Sequence, residues 1–185
     1  MASIITATVA NGLTQSADNS GVLQLASGVG NLVTVPAVTG TAMVSGNMPA
    51  FSAYPNATQS NSAGTWSKMP FNTEEFDTAS CYNTSNYRFT PNVAGYYQVN
   101  ASVESTGNSA SSYYLCAIYK NGSSFKYGQN YLSSVSSGPS ATASTLIYLN
   151  GSTDYIELYA IGQNAWTSGS NALASYFQAC LVRTA

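Results

Sequence analysis

Apolar and polar side chains alternate strictly along residues 97–104. A period of two predicts a β-strand with one buried and one solvent-facing side. The inward positions are Tyr97, Val99, Ala101 and Val103, and the outward positions are Gln98, Asn100, Ser102 and Glu104. Similar alternation at 155–160 and 176–183 predicts two further strands, with Glu157 on a solvent-facing side. Residues 113–120 are apolar at odd and at even positions, and this pattern predicts a strand that is covered on both faces.

Turn-forming residues separate these segments at regular intervals. Asn-Gly pairs at 121–122 and 150–151 predict hairpin turns. Further short strands are predicted at 49–54, 66–72, 87–89, 125–131 and 145–149, and the longer loops at 105–112, 133–140 and 162–171. No window shows a sustained helical period. About ten short strands predict an all-β antiparallel sandwich or barrel.

Residues 1–48 have a different pattern from the rest of the chain. They contain no aromatic residue and one charge, Asp18. Two apolar stretches flank a turn signal at 28–31 and predict a hairpin over 22–35. The apolar positions of this segment are Val22, Leu23, Leu25, Leu32, Val33 and Val35. They are too few to bury a core, so we interpret 1–48 as an attachment or assembly arm, with a flexible extension as the alternative, and 49–185 as the folded domain.

The composition narrows the range of functions. Only 6% of the 185 residues are charged, the net charge is −2, and there are five basic residues in all. No basic patch is dense enough to follow a phosphate backbone, so nucleic acid is not an expected partner. No segment approaches the length of a membrane span, and we expect no membrane insertion. The N-terminal residues lack the features of a signal peptide. We therefore expect synthesis in the host cytoplasm and release by lysis, as for a virion component.

The titratable groups predict no catalysis. The sequence has no histidine, which excludes Ser/His/Asp and Cys/His nucleophilic schemes and histidine metal sites. The acids show no spacing typical of a carboxylate pair, and we expect a non-enzymatic protein without a cofactor or metal. Asp77 is interpreted as a turn-forming side chain. The three cysteines are predicted to be free thiols, with Cys116 and Cys180 buried and Cys81 in an exposed loop.

The stretch from Phe71 to Tyr97 carries the most specific spacing in the chain. Its signature positions are Phe71, Asp77, Tyr82, Phe89, Gly95 and Tyr97. They resemble the aromatic and glycine signature of the globular head domain of the C1q family, although Val99 and Ala101 replace two aromatic positions. Residues 119–122, 148–158 and 176–182 resemble later parts of that domain. The resemblance covers about 49–184 and implies a ten-stranded antiparallel jelly-roll sandwich that forms a homotrimer, similar to tumour-necrosis-factor ligands.

The resemblance suggests where binding surfaces lie. Tyr96, Tyr155, Tyr159 and Tyr176 fall opposite the core pattern and are candidates for the trimer interface, with a sugar-stacking surface as the alternative. Trp166, in a loop rich in Gly and Ser, is the candidate for exposed surface recognition. Some C1q-like trimers hold a cation near their axis, but no calcium-loop motif occurs here.

The arm resembles N-terminal segments of bacteriophage particle proteins in its Thr-, Gly- and Val-rich composition. The favoured interpretation is a homotrimeric structural knob on the virion surface, a capsid decoration or cement protein that contacts the major capsid protein or tail proteins. One alternative is the tip of a short tail fibre that recognises host surface glycans or proteins. A further alternative is a stand-alone lectin-like ligand.

Overall fold

The computed structural model describes residues 48–106, 112–132 and 138–185, and the backbone of two strands near the N-terminus. These are β1 (Leu23–Ala26) and β2 (Leu32–Val35), which pair antiparallel with Leu23 opposite Val35, as the hairpin prediction requires. Val22 and the turn at 28–31 lie outside the described residues, and the attachment role of the arm stays a prediction. The chain divides into two units between Gly40 and Thr41.

The second unit consists of antiparallel strands, and its described residues contain no helix. Sheet 1 has the order β4-β14-β9-β15-β3-β6, with β12 also pairing with β9. Sheet 2 has the order β11-β10-β13-β8-β7, with β5 also pairing with β13. The strands are β3 (Ala50–Tyr54), β4 (Gln59–Asn61), β5 (Ser67–Lys68), β6 (Thr73–Asp77), β7 (Tyr82–Asn83), β8 (Arg88–Phe89), β9 (Ala94–Thr106), β10 (Ser112–Lys120), β11 (Ser123–Leu132), β12 (Ser140–Asn150), β13 (Ile156–Gly162), β14 (Trp166–Ser168) and β15 (Tyr176–Thr184).

The described part of this unit has more strands than the ten expected. The strands β4, β6, β7 and β14 are additional to the predicted ones: β6 has five residues, the other three have two or three, and β14 falls within the predicted loop at 162–171. Such short strands carry too few residues to show an alternating pattern. The long strands agree better: β9 alternates as predicted, with Tyr97, Val99, Ala101 and Val103 all buried.

The residues of the C1q-like signature lie mostly in one aromatic core. The ring of Phe51, on β3, stacks on Tyr82 at a centroid distance of 4.6 Å and on Phe89 at 4.5 Å. The Tyr82 hydroxyl donates to the carbonyl of Phe71 at 2.6 Å. The Tyr97 ring meets Phe89 edge-on at 5.6 Å. These contacts between β3, β7, β8 and β9 hold the two sheets together.

The other two signature residues shape the backbone. Asp77 accepts hydrogen bonds from the backbone N–H groups of Ala79 and Tyr82, at 3.1 and 2.7 Å, so its side chain forms the turn between β6 and β7. Gly95 backs directly onto β15, where a Cβ would lie 2.4 Å from the carbonyl oxygen of Arg183. This close approach explains why the position excludes larger residues.

Two predictions about burial are wrong. Glu157 is fully buried and not solvent-facing, because β13 is a central strand and Lys68 and Arg88 from neighbouring strands lie over its carboxylate. The cysteines also differ: Cys81 is buried and Cys180 is exposed, while Cys116 is buried as predicted. Cys180 alternates with the inward-facing Ala179 and Leu181, so the pattern of β15 already placed its thiol outward.

The two sheets approach each other closely at one edge. Gly128, on β11, lies so near β12 that a Cβ there would be 1.7 Å from the carbonyl oxygen of Thr142. The side-chain amide of Asn130 donates to the carbonyl of Ser140 at 3.1 Å. The end strand of sheet 2 therefore lies directly against β12 of sheet 1.

Candidate functional site

The outward side of sheet 1 is uncharged in the middle of β9, β12 and β15. We call this side the sheet 1 face. Its outward residues are Tyr96, Gln98, Asn100, Ser102, Thr142, Ser144, Leu146, Tyr148, Tyr176, Gln178 and Cys180, with the charged Glu104 and Arg183 at its two ends. Tyr96, Leu146 and Tyr148 are exposed large side chains, and Tyr96 and Tyr148 contact each other with ring centroids 5.6 Å apart. Phe76 is exposed on the same side at β6.

A hydrogen-bonded set of polar side chains occupies the middle of the sheet 1 face. The Gln98 amide donates to Ser144 Oγ at 2.9 Å, and Ser144 Oγ donates to Asn100 Oδ1 at 2.7 Å. Next to this set is a shallow depression of about 220 Å³, which Phe76, Gln98, Asn100, Gln178 and Cys180 help to line. The face therefore combines protruding apolar groups at β12 with a recess near β3 and β6.

The outward side of sheet 2 carries a cluster of aromatic rings. Tyr119 stacks on Tyr159 at 4.1 Å with an interplanar angle of 24°, and Trp66 meets Tyr119 at 6.0 Å. We call these three half-buried rings the aromatic shelf. Ala117, opposite Tyr159 in the register, is fully buried although it does not belong to the main core. The outward side of 113–120 is thus fully covered at Ala117, whereas Tyr113, Leu115 and Tyr119 are only partly buried, so the prediction of a strand covered on both faces holds only in part.

A group of three charges lies beside the shelf. Glu157 Oε1 accepts a hydrogen bond from Lys68 Nζ and a second from Arg88 Nε at 2.7 Å. The Glu157 side chain is 1% exposed, whereas those of Lys68 and Arg88 are 25% and 38% exposed. The hydrogen bond that Arg88 donates to Glu157 raises the pKa of Arg88 above its ordinary value. The guanidinium carbon of Arg88 lies 4.1 Å from the centroid of the Tyr155 ring. The group therefore carries one buried negative and two accessible positive charges.

The four tyrosines predicted for one interface do not share a face. Tyr96 and Tyr176 lie on the sheet 1 face, and Tyr155 and Tyr159 lie on the outward side of sheet 2. All four do alternate with core residues, as the pattern predicts, but periodicity within a strand cannot tell which sheet that strand joins. The structure therefore separates the four tyrosines into two pairs on different faces, and their place in a trimer interface stays a prediction.

Trp166 is not an exposed recognition residue. It lies in β14, is 4% exposed, and packs edge-on against Tyr114 with ring centroids 4.7 Å apart. Its ring also lies directly over Gly162. Its Nε1 and the Tyr114 hydroxyl have no hydrogen-bond partner among the described residues. The loop composition around Trp166 concealed a short strand that pairs with β4 and β9.

A polar clasp joins the two sheets at the end with the Asn-Gly turns. Asp154 Oδ2 accepts from Lys120 Nζ at 2.8 Å, and Asp154 Oδ1 accepts from the Asn121 amide at 2.8 Å. The hydrogen bond from Lys120 lowers the pKa of the Asp154 carboxyl below its ordinary value. Lys120 Nζ also donates to the carbonyl of Tyr148, on β12, at 2.8 Å. These contacts are structural and connect β10, β12 and the start of β13.

The described acids are not arranged as a catalytic pair. Glu157 is neutralised by two cations, Asp154 belongs to the clasp, and Glu75 accepts a hydrogen bond from Ser52 at 2.7 Å. Burial raises the pKa of the Cys116 thiol, which makes it a poor nucleophile. Among the described residues there is no cluster of three potential metal ligands and no helix able to cross a membrane.

Sequence reasoning missed Trp66 as a partner of Tyr119, and Lys68 and Arg88 as partners of Glu157. One signal in the sequence pointed to them. Residues 113–120 are apolar at odd and at even positions, so other side chains were expected to cover the outward side of this strand. The residues that provide this cover come from short strands, β5 and β8, and no local pattern marks them.

Comparison with known proteins shows the fold alone. No family model matches the chain, and no curated protein does. Among solved structures, it is similar to the globular domain of zebrafish complement 1qA protein (16% identity, TM-score 0.54, covering 74% of this chain and 99% of that one). It is also similar to murine APRIL (8% identity, TM-score 0.56, 73% and 99%) and to Eiger TNF from S. frugiperda (8%, 0.56, 75% and 93%). The folded unit of this chain therefore has the C1q/TNF-like jelly-roll fold.

Proposed function

We propose that this protein is a non-enzymatic homotrimeric knob of a bacteriophage particle, held there by its N-terminal arm as a capsid decoration or cement protein. The observation that carries the proposal is the sheet 1 face. The middle of this face has no charged side chain, the charged Glu104 and Arg183 lie at its two ends, and Tyr96, Leu146, Tyr148 and Phe76 are exposed on it. Exposed apolar patches with few charges are typical of the centres of protein interfaces.

The shape of the sheet 1 face favours a closed ring of copies. Leu146 and Tyr148 protrude at β12, whereas the depression lies near β3 and β6. Three strand spacings separate β12 from β3, which is about 14 Å. A protrusion and a recess at different positions match in a head-to-tail interface, and such an interface forms a ring when the rotation closes.

Light scattering on the purified full-length chain tests this assembly. We expect a mass three times the chain mass of 19.3 kDa. Leu146→Lys places a charge in the interface, and we expect it to give a folded monomer. The matched control is Tyr127→Lys, which places the same charge at an equally exposed strand position of sheet 2 and leaves the trimer intact. A monomeric wild-type protein, or dissociation caused only by Tyr127→Lys, would contradict the proposal.

The place on the particle requires a separate experiment. The features that support it are the aromatic-free arm and a charge-poor chain with 6% charged residues. Copy number in purified particles separates the alternatives, because a shell decoration is present in hundreds of copies, whereas a tail appendage is present in a few dozen or fewer. Deletion of residues 2–48 is expected to prevent incorporation while the trimer persists. Normal incorporation of the truncated chain would exclude the arm as the anchor.

A second candidate function is the receptor-binding tip of a short tail fibre. It is favoured by the aromatic shelf, whose rings remain half exposed on the outward side of sheet 2. This surface faces away from the sheet 1 face, so the same trimer would leave it accessible. A stand-alone lectin-like ligand remains the interpretation if the arm proves dispensable.

A further inference from the structure

Three features lie together on the outward side of sheet 2, although their residues are far apart in the sequence. They are the aromatic shelf, the charge group of Lys68, Arg88 and Glu157, and a depression of about 260 Å³. The depression is lined by Trp66, Tyr113, Leu115, Gln129 and Ile161. Trp66 belongs both to the shelf and to this lining, so the depression and the shelf are continuous.

The shelf is already in place without a ligand. Tyr119 and Tyr159 stack on each other, and the ring of Trp66 contacts Tyr119. Ala117, opposite Tyr159 in the register, is fully buried. Burial also raises the pKa of the Tyr119 hydroxyl above its ordinary value, so the shelf remains uncharged at neutral pH. Flat apolar rings with polar tips are suited to stack against the C–H faces of sugar rings.

The charge group gives the surface a local preference for an anion. Two accessible cations surround one buried carboxylate, so the group has a net charge of +1 in a chain whose net charge is −2. Arg88 contacts Glu157 through Nε, and its two terminal nitrogens make no hydrogen bond to the described residues. A guanidinium edge of this kind matches the two oxygens of a carboxylate.

The dimensions fit an oligomer better than a single sugar. Glu157, Tyr159 and Ile161 alternate on the same side of β13, so the charge group and the depression are about 13 Å apart. The side chain of Gln129 adds an amide donor and acceptor at the depression, where hydroxyl groups need partners. A polyphosphate or nucleic acid would need a longer row of cations than this surface offers.

We propose that the outward side of sheet 2 binds a short acidic oligosaccharide, with a sugar carboxylate at Arg88 and Lys68 and neighbouring sugar rings on Trp66 and Tyr119. This proposal deepens the second candidate function and rests on it. It does not depend on the trimer or on the arm. Light scattering and particle incorporation therefore test the main proposal separately.

The test is titration of the full-length protein, followed by NMR or calorimetry, with sialyllactose and a galacturonic acid disaccharide as acidic probes and lactose as the neutral probe. We expect at least one acidic probe to bind at least about tenfold more tightly than lactose. Arg88→Gln and Lys68→Gln should each weaken that binding about tenfold. The matched control is Lys126→Gln, which removes an exposed positive charge of β11 outside the group and should leave the affinity unchanged.

Trp66 variants test the stacking part of the site. Trp66→Ala should reduce affinity for the acidic probe about tenfold or more, and Trp66→Phe should restore most of it, because a phenyl ring still stacks. Thermal denaturation confirms that each variant is folded, and Lys68→Gln replaces Arg88→Gln if the latter does not fold. The proposal is overturned if neither acidic probe binds more tightly than lactose, or if Lys126→Gln weakens binding as much as Lys68→Gln.

Discussion

The two outward faces of this sandwich are built from the same residue types, but their side chains pack differently. On the sheet 1 face, Gln98, Asn100 and Ser144 bond to each other, and Tyr96, Leu146 and Tyr148 remain exposed. On sheet 2, the rings of Trp66, Tyr119 and Tyr159 pack on one another and bury Ala117. Sheet 2 covers part of its outward surface near β13, although Tyr127 and Tyr131 of β11 stay exposed, whereas the large side chains of the sheet 1 face have no such cover within the chain.

The difference between the two faces indicates where a charge-poor chain can place its few charged groups. A surface that must be buried in an assembly gains from an absence of charge, because no ion has to be desolvated. A surface that stays in solvent can keep ions in a paired arrangement, as Glu157 does with Lys68 and Arg88.

The largest expected effect concerns Cys180. Its thiol lies in the depression of the sheet 1 face and is exposed in the single chain, while Cys81 and Cys116 are buried. Maleimide labelling of Cys180 should be at least about a hundredfold slower in the trimer than in monomeric Leu146→Lys, because the interface covers the thiol. Cys180→Ser should remove the label. Equal rates in both proteins would mean that the sheet 1 face is open in solution.

Glu157→Gln tests the paired ions of sheet 2. The substitution leaves Lys68 and Arg88 without their buried counter-charge, and we expect a loss of about 2–3 kcal/mol in the free energy of unfolding. The value is at the low end for buried pairs because both cations reach solvent. Glu74→Gln, at an exposed carboxylate of β6, is the matched control and should change stability by about 0.5 kcal/mol or less. Urea denaturation measures both.

Tyr119→Ala removes the middle ring of the shelf. It loses the stacking on Tyr159 and exposes Ala117, so we expect a destabilisation of about 1–2 kcal/mol. Tyr119→Phe keeps the ring and should lose less than half of that amount. The same pair of variants should leave the mass of the assembly unchanged by light scattering, and a dissociated trimer would mean that sheet 2 contributes to the interface.

The smallest effect concerns the clasp between the sheets. The pKa of the Asp154 carboxyl is lowered in the folded protein, so its contribution is present above the ordinary pKa of 3.8 and is lost as the pH falls through the lower, folded value. Asp154→Asn should cost about 1 kcal/mol at neutral pH and nothing at a pH below that folded value. A cost that is equal at both pH values would assign the effect to packing and not to ionisation.

The sequence predicts the strands better than the pairings between them. The alternation of β9 and the Asn-Gly turn at 121–122, where both residues have positive φ, appear in the structure as expected. The interval pattern from Phe71 to Tyr97 correctly indicated a core, because each of its aromatic positions packs in the same cluster. These features depend on local spacing, which a sequence displays directly.

The candidate surfaces depend on pairings that the sequence does not display. Nothing near Trp166 indicates that residues 166–168 pair with β4 and β9, and so its burial was missed. Glu157 looks solvent-facing within its own strand, and its two cations come from 69 and 89 residues away along the chain. Which of two sheets an outward tyrosine joins is likewise decided by pairing across the whole domain.

The contact at Gly128 affects whether edge strands of neighbouring copies can pair with each other. End strands of open sheets have unpaired backbone groups that recruit strands from other molecules, and close spacing of many copies increases this risk. Here β11 abuts β12, with Gly128 against Thr142 and Asn130 bonded to the carbonyl of Ser140. Because each of these strands blocks approach to the other, that side of the domain resists edge-to-edge aggregation, and copies can stand close together without exchanging strands.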